Sequence, residues 1–406
     1  MAEWRLLKTM TCCTALLLGV QPSSGRSGEA GVEHRGAETR GGADSDAAGP
    51  AVERLVRAAA VYDEQGMRDG VDRLARIGAG CLPYVRPLFR HADPNVRWQS
   101  VITVGRIAVA DRSCFSPLLA AARDEDADVR GEAVSVLAQL FPDSPPVLAV
   151  IAAVERDVHP VVRAQAFAAD WRLRKSRPAV EALIRLLGDR DWMAVQTASR
   201  SLVRVGSPAI PGLLQVLDDA DVRRRSVAVR ILGQLSDVSP VVVQRLGELA
   251  RSDQRPLAAA AMDALAQSDR RGWLILAELA ESSRGEVRAQ ALCSACRLPT
   301  RQPELLPVLN SALHDGDARV RLAAMATIRR LRIGDEQAVQ RLCQLLQDRL
   351  PDQRAAAVAA LGGLDELPRL ARTQLRIIGR DDPVDYIRRH AQRILDASHR
   401  KSNADD

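Results

Sequence analysis

Residues 93–107 read DPNVRWQSVITVGRI, and this stretch decides the fold. Asp93 can accept the first free amide hydrogens of a helix, and Pro94 fits the first helical turn. Small or apolar residues then recur at helical spacing on one face, at Val96, Ser100, Val104 and Ile107. The stretch therefore predicts a helix that begins after Asp93 and buries a face with a small residue near its middle.

The same pattern returns every 30 to 34 residues along the chain. One small residue marks each copy, at Gly70, Ser100, Ala133, Ala166, Ala198, Ala228, Ala261, Ala291, Ala324, Ala357 and Ala391. Seven residues beyond most of them lies an apolar residue, at Ile77, Ile107, Leu140, Leu173, Val205, Leu235, Leu298, Leu331 and Leu364. A small side chain lets two helices cross at about 8 Å. Because one such unit cannot bury its own apolar face, the period predicts a stack of repeats.

Each repeat also contains a partner helix that precedes the one just described. Residues 208–217 read PAIPGLLQVL, and Ser207 and Pro208 supply a cap and a first turn. Gly78 and Gly206 are predicted to end helices, because glycine adopts a positive φ at little cost. Each unit is therefore expected to be a helix, a short turn and a second helix.

The pattern D-x-x-V-R-x-x-A resembles the HEAT repeat in its short bacterial form, as in the group that contains the bilin lyases. It is seen as DPNVRWQS (93–100), DADVRGEA (126–133) and DARVRLAA (317–324). The resemblance implies an all-α superhelix, a HEAT-like solenoid of about eleven two-helix repeats. It also implies that the helix beginning with V-R lines the concave face. Two copies depart from the pattern: Val195 replaces the arginine, and residues 254–261 lack both the aspartate and the arginine.

The N-terminal residues differ from the repeats. Arg5 and Lys8 precede an apolar run, residues 9–20, and small residues follow it with the spacing of a cleavage site. We therefore predict a signal peptide or a membrane anchor at residues 1–25. Export to the periplasm or attachment to a membrane is accordingly favoured over a cytoplasmic location.

The remaining boundaries follow from composition. Residues 26–50 are rich in Gly, Ser, Ala and charge without an apolar period, which predicts a disordered linker. The HEAT-like solenoid is predicted to span residues 51–398. Residues 399–406 are predicted to form a disordered tail.

The charge of the chain is only mildly positive. It has 57 basic and 51 acidic residues, a formal net charge of +6 and a pI near 9.2. This balance permits nucleic acid or an acidic protein as a partner but requires neither.

A first arginine column lies near the start of the second helix of most repeats. Its members are Arg97, Arg130, Arg163, Arg225, Arg288, Arg321, Arg354 and Arg388. An aspartate lies four residues earlier in four of these repeats, at Asp93, Asp126, Asp221 and Asp317. We expect an internal ladder in which each arginine pairs with that aspartate and with neighbouring carbonyl groups, since guanidinium geometry suits both.

A second polar column lies one residue before the closing apolar position. Its members are Arg76, Arg106, Gln139, Arg172, Arg204, Gln234, Gln267, Arg297 and Arg330. One interpretation is structural, because cations at a helix C-terminus interact favourably with the helix dipole. The other is functional: a positive ridge along one edge could meet an acidic partner or a phosphate backbone.

The tryptophans divide into two groups. Trp98 lies off the apolar face beside Arg97, and Trp192 is expected in a turn, so both could anchor an interface. Trp171 and Trp273 are expected to pack in the interior. The predicted protein-binding residues are Trp98, Arg76, Arg106, Arg172, Arg204, Arg297 and Arg330.

No catalytic motif is found. None of the six histidines belongs to a paired metal-ligand motif, and no phosphate-binding loop or nucleophile elbow is present. Cys293 and Cys296 form a single C-x-x-C without a second pair, so we expect them to pack as small apolar residues rather than bind zinc. No catalytic, cofactor-binding or metal-binding residue is predicted.

Three functions follow as hypotheses. The leading one is a non-enzymatic scaffold or adaptor, monomeric, that binds a protein or peptide on the concave face. The second is nucleic-acid binding through the arginine ridge. The third, from family analogy alone, is a lyase-like or chaperone-like accessory role on a cofactor or client enzyme.

Overall fold

The computed structural model describes residues 47–109, 111–235, 239–268, 270–298 and 303–402. Within these ranges all regular secondary structure is helical and no strand occurs, which confirms the predicted all-α class. The predicted signal or anchor, and most of the linker, lie outside the described residues. The first helix begins at Ala48, and the last continues through Ser402, beyond the predicted start of the tail. No helix in these ranges is both long and apolar enough to cross a bilayer.

The chain divides into two compact units, with the boundary between Val205 and Gly206. The helices of the first unit are α1 (Ala48–Ala60), α2 (Glu64–Ile77), α3 (Leu82–Val85), α4 (Pro94–Ile107), α5 (Arg112–Ala121), α6 (Ala127–Leu140), α7 (Pro145–Val154), α8 (Pro160–Arg174), α9 (Arg177–Leu186) and α10 (Trp192–Val205). Short 3-10 turns, Gly78–Cys81 and Arg86–Arg90, extend α3 at both ends.

The second unit continues the same alternation. Its helices are α11 (Ile210–Val216), α12 (Val222–Gln234), α13 (Pro240–Ala250), α14 (Arg255–Gln267), α15 (Arg270–Leu279), α16 (Gly285–Ala295), α17 (Leu306–Leu313), α18 (Ala318–Leu331), α19 (Glu336–Leu345), α20 (Pro351–Gly363), α21 (Arg369–Asp381) and α22 (Asp385–Ser402). The 3-10 turns Ser207–Ala209 and Pro303–Leu305 lead into α11 and α17.

The helices form eleven pairs within the described residues, in agreement with the predicted repeat number. We call the odd-numbered helices A helices and the even-numbered ones B helices. Within each unit, every B helix packs against the B helix of the next pair as well as against its own A helix. This stacking buries the apolar faces that a single pair would leave exposed.

The small-residue column lies where these helices meet. Every member from Ser100 to Ala391 is 0 % exposed. Gly70, the first member, is also buried, and a Cβ atom there would lie 3.1 Å from the Cβ of Leu55. The predicted contact through small side chains is confirmed, because a larger side chain has no space at these positions.

Gly78 and Gly206 end helices as predicted. They follow α2 and α10 with φ angles of 72° and 75°, which non-glycine residues rarely adopt. These two glycines therefore set the direction of the chain after the helices.

The turn aspartates cap the B helices. Asp93, Asp126, Asp221 and Asp317 each accept a hydrogen bond from a backbone N–H in the first turn of the following helix. The carboxylate of Asp126 accepts two, from the amides of Asp128 and Val129. These bonds satisfy amides that the helix itself leaves without a partner.

Asp126→Ala is expected to lower the stability of the α5–α6 repeat by about 1 kcal/mol, because it removes this cap. Hydrogen exchange of the α6 amides would measure the local loss. Asp126→Asn is the control, since an asparagine oxygen caps a helix nearly as well. Equal losses in the two variants would contradict the capping role.

Candidate binding surface

The first arginine column forms a ladder that joins neighbouring repeats. Arg97 donates through Nη1 to the carbonyls of His91 and Ala92, at 2.9 and 3.0 Å. Its Nε and Nη2 donate to the carboxylate of Asp124, both at 2.8 Å. Arg97 therefore ties the turn of its own repeat to the turn of the next one.

The same arrangement recurs in both units with an offset of 26 to 28 residues between arginine and aspartate. The pairs are Arg97–Asp124, Arg130–Asp157 and Arg163–Asp189 in the first unit, and Arg288–Asp315, Arg321–Asp348 and Arg354–Asp382 in the second. Their N–O distances run from 2.7 to 3.7 Å. Each of these arginines also donates to carbonyl groups of its own turn.

The prediction that each arginine pairs with the aspartate four residues earlier was therefore wrong, whereas the predicted hydrogen bonds to neighbouring carbonyl groups are confirmed. The aspartate four residues earlier points its carboxylate at its own helix, as the bond from the Asn95 amide to Asp93 shows at 2.8 Å. A long side chain in the first turn extends back past that cap, toward the preceding turn and the next repeat. The pattern D-x-D, as in Asp124 and Asp126, could have identified the true partner.

The ladder is interrupted in the middle of the chain. Val195 and Ala258 occupy arginine positions, and serines replace the aspartates in the turns before α14 and α16. Arg225 instead donates to the side-chain oxygen of Gln254 at 2.7 Å. Among the described residues, the ladder ion pairs therefore lie within residues 97–189 and 288–382, while other ion pairs, such as Arg284–Asp253, link repeats between these ranges.

Three of the ladder carboxyl groups have lowered pKa values. The hydrogen bond from Arg288 holds the pKa of Asp315 below its ordinary value. Burial raises the pKa of Asp382, but hydrogen bonds from Arg354 and from the Val384 amide outweigh it, so the net shift is downward. The pKa of Asp157 is lowered by the same opposition of burial and the Arg130 hydrogen bond. These carboxylates are therefore charged at neutral pH.

Acid is expected to destabilise both units through these groups. A carboxyl group with a lowered folded-state pKa contributes stability that is present above its unfolded value of about 3.9 and is lost as the pH falls through the folded value. The melting temperature should stay nearly constant above about pH 5 and fall below about pH 4. Circular dichroism melts against pH would measure this. Asp315→Asn should reduce the acid dependence, and an unchanged profile would contradict the assignment.

The second polar column is only partly available to a partner. Arg106 pairs with Asp72, and Arg297 pairs with Asp263 at 2.5 Å. Arg76 is exposed and donates to the carbonyl of Asp72 in its own helix. Arg172, Arg204 and Arg330 are exposed and form no ion pair or hydrogen bond with a described residue. The predicted ridge is thus a set of separate cationic positions rather than a continuous stripe.

Trp98 does not lie on the surface. It is 7 % exposed, so the prediction that its ring faces solvent beside Arg97 is wrong. The α4 helix is buried on most of its circumference in its first two turns, and a helical wheel cannot show this because it omits neighbouring repeats. Trp192 is 52 % exposed, but it opens α10 rather than lying in a turn. Trp273 is buried as predicted, and Trp171 is partly buried with the Lys175 ammonium 5.4 Å from its ring centroid.

The cysteines and acidic residues do not form a metal site in the described part of the chain. No group of three or more potential ligands is found there. The Cys296 thiol lies 3.8 Å from the carbonyl oxygen of Ala326, whereas Cys293 is exposed rather than packed. Burial raises the pKa of both thiols.

Two exposed arginines of the second unit lie outside both predicted columns. Arg329 is next to Arg330 at the end of α18, and Arg393 lies on α22. Neither forms an ion pair or hydrogen bond with a described residue. Both arginines break the repeat pattern, so the recurring positions of the sequence do not identify them.

Solved structures with this architecture are large solenoids. Kap121p bound to Pho4p is 12 % identical and matches with a TM-score of 0.55 over 86 % of this chain and 45 % of its own. Kap95p, solved with RanGDP, is 13 % identical with a TM-score of 0.52 over 86 % and 55 %. This chain thus spans about half the length of these proteins. At such identities the likeness shows the fold alone.

Sequence comparison points to the same architecture. No curated protein matches this chain. The family model for HEAT repeats matches residues 82–171, 149–232 and 274–362, which together make up more than half of the chain. The repeat period, the buried small-residue column and the helix pairs agree with that match. The chain belongs to the HEAT repeat family.

Proposed function

We propose that this protein is a non-enzymatic scaffold that binds a protein or peptide partner on the B-helix face of its repeats. One observation carries the proposal. Six members of the first arginine column form the ladder, whereas Arg172 and Arg204 in the first unit and Arg330 in the second are exposed and pair with no residue that the structure describes. Kap121p, crystallised with Pho4p, gives a precedent for this architecture holding a protein partner.

Photo-crosslinking would test which face binds. A photoreactive amino acid replaces Ala326, which is exposed on B helix α18, or Ser311, which is exposed on A helix α17. The full chain is then irradiated in an extract of its own cells. Mass spectrometry should identify a reproducible adduct from position 326 and none from position 311.

Charge removal supplies the matched control. Arg204→Ala combined with Arg330→Ala should weaken the adduct, because exposed arginines are common anchors of interfaces. Arg329→Ala is avoided here because Cγ of Arg329 packs against Gly363 of a neighbouring helix, and alanine would remove that contact. Crosslinks only from the A-helix face, or none from either face, would contradict the proposal.

Nucleic-acid binding is the second candidate, because the same exposed guanidinium groups could contact phosphates. It predicts that log K falls with log salt at a slope of about −0.9 per phosphate contact for duplex DNA. Fluorescence anisotropy with a labelled duplex between low and physiological salt would measure the slope. A flat response would exclude this function, and the acidic turns between the arginines already disfavour it.

Location and oligomeric state remain predictions. Export or membrane attachment through residues 1–25 would be tested by determining the mature N-terminus with mass spectrometry. Light scattering of the purified chain should give the mass of a monomer.

A further inference from the structure

A shallow trough runs along the B helices of the last three repeats. Its floor is α20, which packs between α18 and α22. Beyond the exposed Asp352 in its first turn, the solvent-facing side of α20 carries no side chain larger than alanine, and its members are Ala355, Ala356, Ala359, Gly362 and Gly363. None of these five residues is buried. A polypeptide could therefore approach the helix backbone closely along the floor.

Two glycines allow the neighbouring helices α18 and α22, which form the walls of the trough, to approach α20 closely. A Cβ atom on Gly363 would lie 2.7 Å from Cγ and 2.9 Å from Cα of Arg329, so α18 meets α20 at that point. A Cβ atom on Gly362 would lie 2.5 Å from Cδ1 of Ile394, so α22 meets α20 from the other side. The residues beside these contacts, Arg329 and Arg393, are thereby held at opposite edges of the floor.

The edges are positively charged. Arg329 and Arg330 on α18 and Arg393 on α22 are exposed, and none pairs with a described acidic group. Burial lowers the pKa of His390, and Arg393 and Arg329 lower it further, which places charge from both walls near one imidazole. Arg330, Arg329 and Arg297 also act to lower the pKa of the Cys296 thiol, against the effect of its burial.

The acidic groups nearby do not neutralise these arginines. Asp365 pairs with Arg332 at 2.8 Å, and Asp385 pairs with Arg388 and Arg389. Asp396 accepts a hydrogen bond from Gln392 at 3.2 Å and is exposed. The trough therefore has arginines unpaired with any described residue at its edges and, beyond Asp352 at one end, an uncharged floor between them.

We propose that this trough binds an acidic segment of a polypeptide, with carboxylates at Arg329, Arg330 and Arg393 and small side chains against α20. The proposal rests on the proposed scaffold function and names the site and the chemistry of the partner. A polypeptide fits better than a nucleic acid, since it can place carboxylates opposite the arginines and leave Asp365 and Asp396 uncontacted. A phosphate backbone carries charge at every residue and would be repelled there. The floor also offers no aromatic ring on which bases could stack.

Direct binding to the full-length chain tests this. α20 has 13 residues and so spans about 20 Å, which a peptide of about 15 residues covers. The probe is a fluorescein-labelled peptide of alternating Glu and Ala, followed by anisotropy. The same peptide with Gln in place of Glu, and a single-stranded DNA of equal charge, are the comparison probes. The Glu peptide should bind, whereas the Gln peptide and the DNA should bind at least about tenfold more weakly.

The variants locate the site. Arg329→Glu combined with Arg393→Glu should lower the affinity for the Glu peptide by about tenfold or more, as expected for lost charge-assisted contacts. Ala359→Leu should weaken it by filling the floor without changing charge. The matched control, Arg185→Glu with Arg190→Glu, changes two exposed arginines of the first unit that have no assigned binding role; it should change affinity by less than about twofold, and circular dichroism should show that each variant is folded.

Each remaining outcome overturns the proposal. These are no binding of the Glu peptide, equal binding of the Gln peptide, tighter binding of the DNA, or equal loss in the control variant. If a cellular partner still crosslinks to B-helix positions of the first unit, the scaffold function stands and only the trough assignment fails. If no cellular partner crosslinks at any position but the Glu peptide binds in the trough, the trough assignment stands and the proposed scaffold function fails.

Discussion

Arg354→Ala is expected to lower the stability of the last two repeats by about 3 kcal/mol, the largest effect of any single ladder substitution. Arg354 and Asp382 are 8 % and 4 % exposed, the most buried of the ladder pairs. The guanidinium donates to both carboxylate oxygens, at 2.7 and 3.1 Å, and to the carbonyl of Asp348 at 3.0 Å. Removing it leaves a buried carboxylate without its counter-charge, which costs far more than a lost surface pair.

Native-state hydrogen exchange is the suitable measurement. A repeat protein opens locally, so protection of amides in α20 and α22 reports the affected repeats better than a global unfolding curve does. Arg204→Ala is the control, because that arginine is exposed and has no partner in the described part of the chain, and it should change protection little.

A double variant tests whether the loss of stability comes from the Asp382 carboxylate that is left buried without its counter-charge. Arg354→Met together with Asp382→Asn removes both charges, and it should recover part of the stability lost in Arg354→Ala. A loss in Arg354→Ala no larger than in Arg204→Ala would show that the ladder does not hold these repeats together.

Gly233→Ala is expected to destabilise the α12–α14 contact by about 2 kcal/mol, although alanine is the better helix former. A Cβ atom on Gly233 would lie 2.6 Å from the Cβ and 2.7 Å from the Cα of Ala264 on α14. Because the second distance is to backbone, no side-chain rotation can relieve the overlap. The two B helices must separate, and they then lose packing along their length.

Gly379→Ala is a matched control on another helix of the same unit. Its added Cβ would meet only the side-chain oxygen of Gln392 at 3.4 Å and atoms beyond 3.6 Å. Relief of the glycine penalty should therefore dominate and stabilise the chain by up to about 1 kcal/mol. Hydrogen exchange of α12 and α14, compared with that of α21, would show the opposite signs. A stabilising effect of Gly233→Ala would refute the close helix contact.

Features encoded within one helix were predictable from the sequence. The caps at Asp93 and Asp126 depend on a side chain and amides two or three residues away. The burial of Ala324 and Ala357 follows from their position on the apolar face, and the period fixes that face in each repeat. These are local relations, so reading the chain in order is enough to identify them.

Features that join different repeats were not predictable in the same way. The sequence determined the helix pairs, the small-residue column and membership of a repeat fold, because each rests on spacing along the chain. Only the tertiary structure decided that Arg97 binds Asp124, that Trp98 is buried, and that Arg329 and Arg393 face each other across α20. These depend on which side chains a neighbouring repeat brings near, since a helical wheel gives direction but not what lies in that direction.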